Sequence, residues 1–208
     1  TIGASAWLVE SGGHRILLDA GTCPGVEGRP GLPLYSQVAD QEVDAIAISH
    51  CHQDHCGSLP VALRHFPRAR VLMTEPSYFL IERVLHNSVN VMKRQRIERT
   101  IPDYPLFHHK EVDEISYLFQ GFKYGKAEPW SPVRPGTTNE LGPTVSFHPA
   151  GHVLGSAGLQ VAHGRESLFY TGDVCFHDQT LSPKADFSGT QSDVLILETT
   201  RGATETPA

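Results

Sequence analysis

Residues 50–55 read His-Cys-His-Gln-Asp-His. Three imidazoles and one carboxylate in six positions are the donor set that borderline divalent metals such as zinc prefer. Four potential ligands exceed what one tetrahedral ion takes comfortably from so short a loop. The spacing therefore points to two adjacent metals, and two adjacent metals point to hydrolysis. Cys51, inside the cluster, is expected to be a bystander turned away from the ions.

The remaining chemistry-bearing residues sit where apolar runs stop. Ile46-Ala47-Ile48-Ser49 leads into His50, Leu17-Leu18 into Asp19, and Phe169-Tyr170-Thr171-Gly172 into Asp173. His152 follows Phe147-His148-Pro149-Ala150-Gly151, and Glu198 ends Val194-Leu195-Ile196-Leu197. Five strand-like runs thus each deliver an acid or an imidazole at one end, and loops at one rim of a rigid sheet are where sites are usually assembled.

The elements that must position these residues follow from periodicity and turn chemistry. Strands are expected at 4–10, 15–19, 43–49, 69–73, 144–148, 158–162, 167–171 and 194–198. The first two form a hairpin around Ser11-Gly12-Gly13-His14. The runs at 43–49 and 194–198 are apolar enough to be fully buried. Helices are expected at 57–66, 76–99 and 110–120, and loops at 21–33 and 129–143. Strands interleaved with helices indicate an α/β layered architecture. The basic residues Lys93, Arg94, Arg96 and Arg99 suit the C-terminal turns of the long helix. Trp7 and Trp130 are expected in the core. His14, His65, His86, His148, His163 and His177 are expected to be structural or at the surface. His108-His109 forms a second pair with no third partner near it in sequence.

The chain has 208 residues and a formal net charge of −6 with histidines neutral. That charge argues against a broad basic surface for nucleic acid, although bound zinc would bring positive charge to the acidic cluster. No apolar run approaches the roughly 20 residues a membrane span needs. Four cysteines (Cys23, Cys51, Cys56, Cys175) without a CxxC pattern read as reduced thiols of a cytoplasmic protein. The start at Thr1 and the small, polar tail from Arg201 read as cuts within a longer protein.

His50, His52, Asp54 and His55, followed by His152 and Asp173, resemble the ligand pattern of the metallo-β-lactamase superfamily of dinuclear metal hydrolases. The resemblance implies an αββα sandwich, incomplete here, with two zinc ions. It implies that His50, His52 and His152 bind one ion, that Asp54 and His55 serve the second, and that Asp173 bridges both. Asp19 matches the family's first acidic motif, which orients the site without binding metal. Gly151-His152-Val153-Leu154-Gly155-Ser156 and Cys56-Gly57-Ser58-Leu59-Pro60 are similar to the β-CASP branch, which acts on nucleic acids. Glu198-Thr199-Thr200-Arg201-Gly202 resembles the segment before the inserted β-CASP domain, where the acid pairs with a histidine of the insert that protonates the leaving group.

On this resemblance, residues 1–202 are the N-terminal portion of a metallo-β-lactamase domain, and 203–208 begin the connection to a β-CASP domain. The expected activity is zinc-dependent hydrolysis of RNA, endo- or 5′-exonucleolytic, by a hydroxide bridging the two ions. Asp54 would orient the water or take its proton, and Glu198 would assist the leaving group. RNA is the expected partner, with DNA as the variant, and no membrane. Two alternatives remain open at this stage. One is a thioesterase- or lactonase-type hydrolase of small molecules. The other is an RNA-binding scaffold without activity.

Overall fold

The computed structural model describes residues 3–38, 40–131, 142–200 and 202. Most of the loop expected at 129–143, and the connection expected from 203 onward, lie outside the described residues. The chain opens on a hairpin of β1 (Trp7–Ser11) and β2 (His14–Leu18). Ser11 pairs with His14 across a two-residue turn. That turn needs positive φ at both positions, and Gly12 (57°) and Gly13 (78°) supply it.

Three parallel strands extend this hairpin: β3 (Ala45–Ala47), β4 (Arg70–Thr74) and β5 (Phe119–Phe122). The sheet order is β1-β2-β3-β4-β5, with β1 and β2 the antiparallel pair. Between these strands lie α1 (Gln53–Cys56), α2 (Leu59–His65), α3 (Glu75–Glu98) and α4 (His109–Ser116). A second sheet comprises β6 (Glu128–Pro129), β7 (Thr144–Pro149), β8 (Ala157–His163), β9 (Glu166–Tyr170) and β10 (Val194–Ile196), in the order β10-β9-β8-β7-β6.

Alternation along the strands of the first sheet sorts the core into two layers. Ile16, Leu18, Ala45, Ala47 and Leu72 face the second sheet and pack with Trp130, Val145, Phe147, Leu159 and Tyr170. Their sequence neighbours Leu17, Ile46, Val71 and Met73 face the helices and pack with Leu59, Ile81, Leu85, Val89 and Val112. Both faces of this sheet are therefore buried, which is why its parallel strands read as continuous apolar runs. The described residues thus form three layers of the expected sandwich: helices, sheet, sheet. Among them no helix is long and apolar enough to cross a membrane.

Three expectations are corrected. The helix expected over 110–120 ends at Ser116, and Phe119 instead pairs with Val71 in β5. Phe119 is buried, whereas Tyr117 and Leu118 are exposed, so burial of the aromatic ring in the sheet outweighs continuation of the helix. The run 194–198 is a strand but not a buried one: Val194, Leu195 and Leu197 are each more than half exposed at the edge of the second sheet. Trp7 lies on the edge strand of the first sheet and is 48% exposed, while Trp130 is fully buried as expected. A short 3-10 turn at Arg29–Gly31 interrupts the loop expected at 21–33.

One cap connects the long helix to the site. Thr74 ends β4 and caps α3, its Oγ1 accepting the Ser77 N–H at 3.3 Å. The same hydroxyl donates to the Gly155 carbonyl at 2.7 Å, in the turn that carries His152. Replacing a threonine cap by alanine typically removes about 1 kcal/mol, up to about 2. Thr74→Ala is therefore expected to lower stability by roughly 1–2 kcal/mol in urea denaturation, with Thr74→Ser retaining most of it. An unchanged midpoint for Thr74→Ala would refute the cap's role.

Candidate metal centre

The histidine cluster starts one residue past the apolar run that forms β3. Ser49 sits between them, its N–H donating to Asp19 Oδ1 at 2.7 Å. His52 then takes an extended backbone conformation and opens the single turn of α1, with the His55 and Cys56 N–H groups bonded to its carbonyl. The turn is docked by backbone hydrogen bonds from Ser5 to Asp54, from Ala20 to His55 and from Thr22 to Gln53. Gly21 lies against it so closely that a Cβ there would stand 1.7 Å from the Asp54 carbonyl oxygen. Only glycine fits at that approach.

Asp19 is fully buried, with φ at 63°. Its Oδ2 accepts from Ser49 Oγ at 2.8 Å, His55 Nδ1 at 2.7 Å and the Tyr170 hydroxyl at 2.7 Å. With the Ser49 N–H on Oδ1, four donors converge on one carboxylate. Burial and the charge of Asp19 push the Tyr170 phenol upward, so it remains a donor.

This arrangement fixes the imidazole faces. His55 presents Nδ1–H to Asp19, which leaves Nε2 directed at Asp173 Oδ1 (3.3 Å) and Asp54 Oδ2 (3.7 Å). His50 Nδ1 lies 3.1 Å from Ser49 Oγ, whose proton is committed to Asp19. His50 must therefore donate through Nδ1, and its Nε2 is bare. That Nε2 is buried without any hydrogen-bond partner, an arrangement a protein rarely tolerates without a further ligand.

His152 reaches the same place from the second sheet. Its turn is held by Ser156 Oγ, which accepts the His152 and Val153 N–H groups at 3.0 and 3.1 Å. The Gln179 amide donates to the Gly151 and His152 carbonyls. His152 Nε2 stands 3.1 Å from His52 Nδ1 and 3.5 Å from Asp173 Oδ2. The His50 ring lies 4.7 Å from that of His52 and 5.0 Å from that of His152. Two donor groups result, each compact enough to hold one ion: His50, His52, His152 and Asp173, and Asp54, His55 and Asp173. Asp173 belongs to both, turning one oxygen toward each.

The electrostatics suit cations. Burial works against charging His55, but the Asp19 and Asp173 carboxylates on its two sides overcome this and raise it to about 10. The hydrogen bond from His55 holds Asp173 down at about 2, against the opposing effect of burial. Burial, then the charge of His55, pushes His50 well below the ordinary imidazole value, and burial likewise lowers His152. A proton on His55 lies where this donor group would hold a cation, so uptake of a metal here would be linked to release of that proton.

Glu198 joins neither group. It lines the same cavity of about 390 Å³ as Asp54, His55 and Asp173, together with Trp7 and Tyr170. Its carboxylate accepts the Thr200 N–H at 2.8 Å, and its own N–H donates to Thr171 Oγ1 at 3.1 Å. Cys51 packs against the helix-side core. Ser49 and Tyr170 carry functions the sequence reading did not assign. A serine between strand and histidine, and a tyrosine in an apolar strand, carry no spacing signal of their own. Asp19→Asn would set an amide NH2 against either the one donor at Oδ1 or the three at Oδ2, for an expected loss of roughly 1–3 kcal/mol. Zinc affinity at the His55 group is expected to fall about 10- to 100-fold. Urea denaturation and zinc titration against a chelator read the two effects. A folded variant with unchanged zinc affinity would count against Asp19 as the residue that orients His55.

The comparisons with known proteins agree with this geometry. The family model described as "Metallo-beta-lactamase superfamily" matches residues 2–201. The endoribonuclease YSH1 of Gibberella zeae is 30% identical over 205 residues, covering 97% of this chain and 23% of the relative. The transcription termination factor FttA of Methanocaldococcus jannaschii is 28% identical over 208 residues, covering 97% of this chain and 30% of the relative. The chain therefore spans less than a third of the length of these relatives. Among solved structures, a HARLDQ-motif mutant of a Cronobacter sakazakii metallo-beta-lactamase superposes with a TM-score of 0.50 at 19% identity, covering 82% of this chain and 57% of that one. Matched over nearly all of its residues, and carrying two compact His/Asp donor groups at the ends of its strands, this chain belongs to the metallo-beta-lactamase superfamily.

Proposed function

We propose that this chain is the N-terminal part of a zinc-dependent ribonuclease of the β-CASP branch. In this reading residues 1–202 form most of the catalytic domain, and residues 203–208 lead into a further domain. The observation that carries the reading is Asp173, shared by two donor groups at one cavity with Glu198 on its wall. Relatives named as an endoribonuclease and a transcription termination factor support an RNA substrate. The Gly151–Ser156 and Glu198–Gly202 segments support the branch.

His50, His52 and His152 would hold one zinc, Asp54 and His55 the second, and Asp173 both. The bare, buried Nε2 of His50 fits this assignment, as does a donor set of imidazoles and carboxylates. When bound, the two ions make water acidic enough to act as a nucleophile near neutral pH and neutralise charge on the attacked phosphodiester. Asp54 orients the attacking water or accepts its proton. Glu198, through a histidine contributed from outside this chain, guides a proton to the leaving oxygen. The second donor group has three members among the described residues, so a fourth ligand from outside belongs to the same proposal. A cytoplasmic setting belongs to it as well.

The test uses the full-length protein. Elemental analysis is expected to find at least two zinc ions per chain, and His52→Ala and Asp54→Ala are expected to cut RNA cleavage by roughly 10²–10⁴-fold while circular dichroism stays unchanged. Substrates with 5′-phosphate and 5′-triphosphate ends, and a single-stranded DNA of the same sequence, separate the modes of attack. A protein holding far less than two metals, or cleaving equally well without Asp54, sinks the nuclease reading. Robust cleavage by residues 1–208 alone would refute the contribution from outside.

A further inference from the structure

A second histidine–carboxylate cluster lies on the helical layer. Glu82, His86 and Asn90 follow one another at four-residue intervals on α3, and His109 and Asp113 stand four apart on α4. Residues at that spacing share one helix face, and the two ladders meet. His86 and His109 stack with ring centroids 5.1 Å apart and Nδ1 atoms 2.8 Å apart. His86 Nε2 lies 3.2 Å from Asp113 Oδ1 and 4.0 Å from Glu82 Oε1. In sequence the His108-His109 pair has no third partner near it, and His86 is expected to be structural or at the surface. The structure supplies partners for His109, while the His108 N–H caps α4 by donating to Glu111 at 3.0 Å.

The hydrogen bonds decide what His86 offers. His109 Nε2 lies 3.1 Å from Asn90 Oδ1. That oxygen can only accept, so His109 Nε2 carries the ring proton and a neutral His109 is bare at Nδ1. The 2.8 Å contact between the two Nδ1 atoms then requires His86 to donate. A neutral His86 is left with a lone pair on Nε2, aimed at two carboxylates that also offer only lone pairs. Three acceptors facing one point repel one another unless a proton on His86 Nε2 or a metal ion stands between them. Glu82, His86 and Asp113 can each bring one ligand atom within 4.8 Å of the others, and all three are solvent-accessible, so an ion can reach them.

We propose that Glu82, His86 and Asp113 form a third metal site for a borderline divalent ion such as zinc, tying α4 to α3. His109 does not bind the ion. It holds the His86 ring by its Nδ1 and, in the neutral ring, makes Nε2 the nitrogen that carries the lone pair, the role that partners behind metal-binding histidines usually play. One imidazole with two carboxylates favours zinc over magnesium, which prefers an all-oxygen, largely hydrated shell.

Long-range proton–nitrogen NMR of the histidine side chains tests this on the 208-residue chain. The chain is first given two equivalents of zinc and then titrated further. The expected result is a shift of His86 Nε2 with the later zinc, while the imidazoles of His50, His52, His55 and His152 have stopped moving or move independently. Because the readout is resolved by residue, it holds whatever the loading of the other site. Asp113→Asn and Glu82→Gln are each expected to weaken this zinc by about 10-fold or more, and His109→Ala by about 10- to 100-fold. A His86 Nε2 that carries a proton and ignores zinc overturns the proposal. So does zinc affinity at His86 that survives Asp113→Asn unchanged. An equal response to magnesium overturns the assignment to a borderline metal.

Discussion

The site hangs on one buried carboxylate. Asp19 terminates β2 in a left-handed conformation, φ 63°, that a non-glycine residue adopts at a penalty. Four donors hold it there: the N–H and hydroxyl of Ser49, the Nδ1–H of His55 and the phenol of Tyr170. Ser49 follows β3, His55 belongs to α1, and Tyr170 ends β9 in the other sheet. A single acid therefore fixes the relative position of two sheets and the histidine-rich loop. A buried charge is tolerated only when it is as fully satisfied as this one. The full set of acceptor contacts is also what makes the residue sensitive to substitution.

The two sheets stack because the strands of the first alternate cleanly. Ile16, Leu18, Ala45, Ala47 and Leu72 face the second sheet, and the small alanines leave room for Phe147 and Trp130. The other set faces the helices. Once the sheets are stacked, the ends of β3 and β9 lie together. His50 from the first and Asp173 from the second then converge without a long loop. His152 arrives by a turn that is itself fastened to the start of α3 through Thr74, Ser77 and the Gly155 carbonyl. His50, His152 and Asp173 are thus placed by elements anchored in a core, which is what a preorganised site requires.

The strand ends were the most legible part of the chain. An apolar run followed directly by Asp, His or Glu is visible in one dimension, and each such run became a strand. Where the reading went astray, the deciding term was tertiary. Residues 117–120 carry a helical pattern, yet Phe119 finds a buried place beside β4 only as a strand. The run Val194–Leu197 shows a preference for burial, but a sequence does not state what covers it, and on the edge of the second sheet these side chains are exposed. Trp7 is the same case on β1. Ser49 and Tyr170 were illegible for another reason. Their work is a hydrogen bond to a residue 30 and 151 positions away, and no local spacing encodes it.

One rule governs both histidine clusters. An imidazole has two nitrogens, and a partner behind the ring that can only accept or only donate determines which face carries the lone pair. Behind His55 stands Asp19. Behind His50 stands Ser49, whose hydroxyl proton Asp19 has claimed. Behind His86 stands His109, made an acceptor by Asn90. In the neutral ring the far nitrogen then carries the lone pair: that of His55 and of His86 is turned toward carboxylates, and that of His50 is buried without a hydrogen-bond partner. Count of histidines and acids alone does not separate such a cluster from an ordinary polar surface, since hydrogen-bonded His–Asp pairs are common. The direction of the protons does. A neutral imidazole whose rear contact commits it to donate cannot also donate to the carboxylate in front, and what then balances that carboxylate must be a second proton or a metal ion.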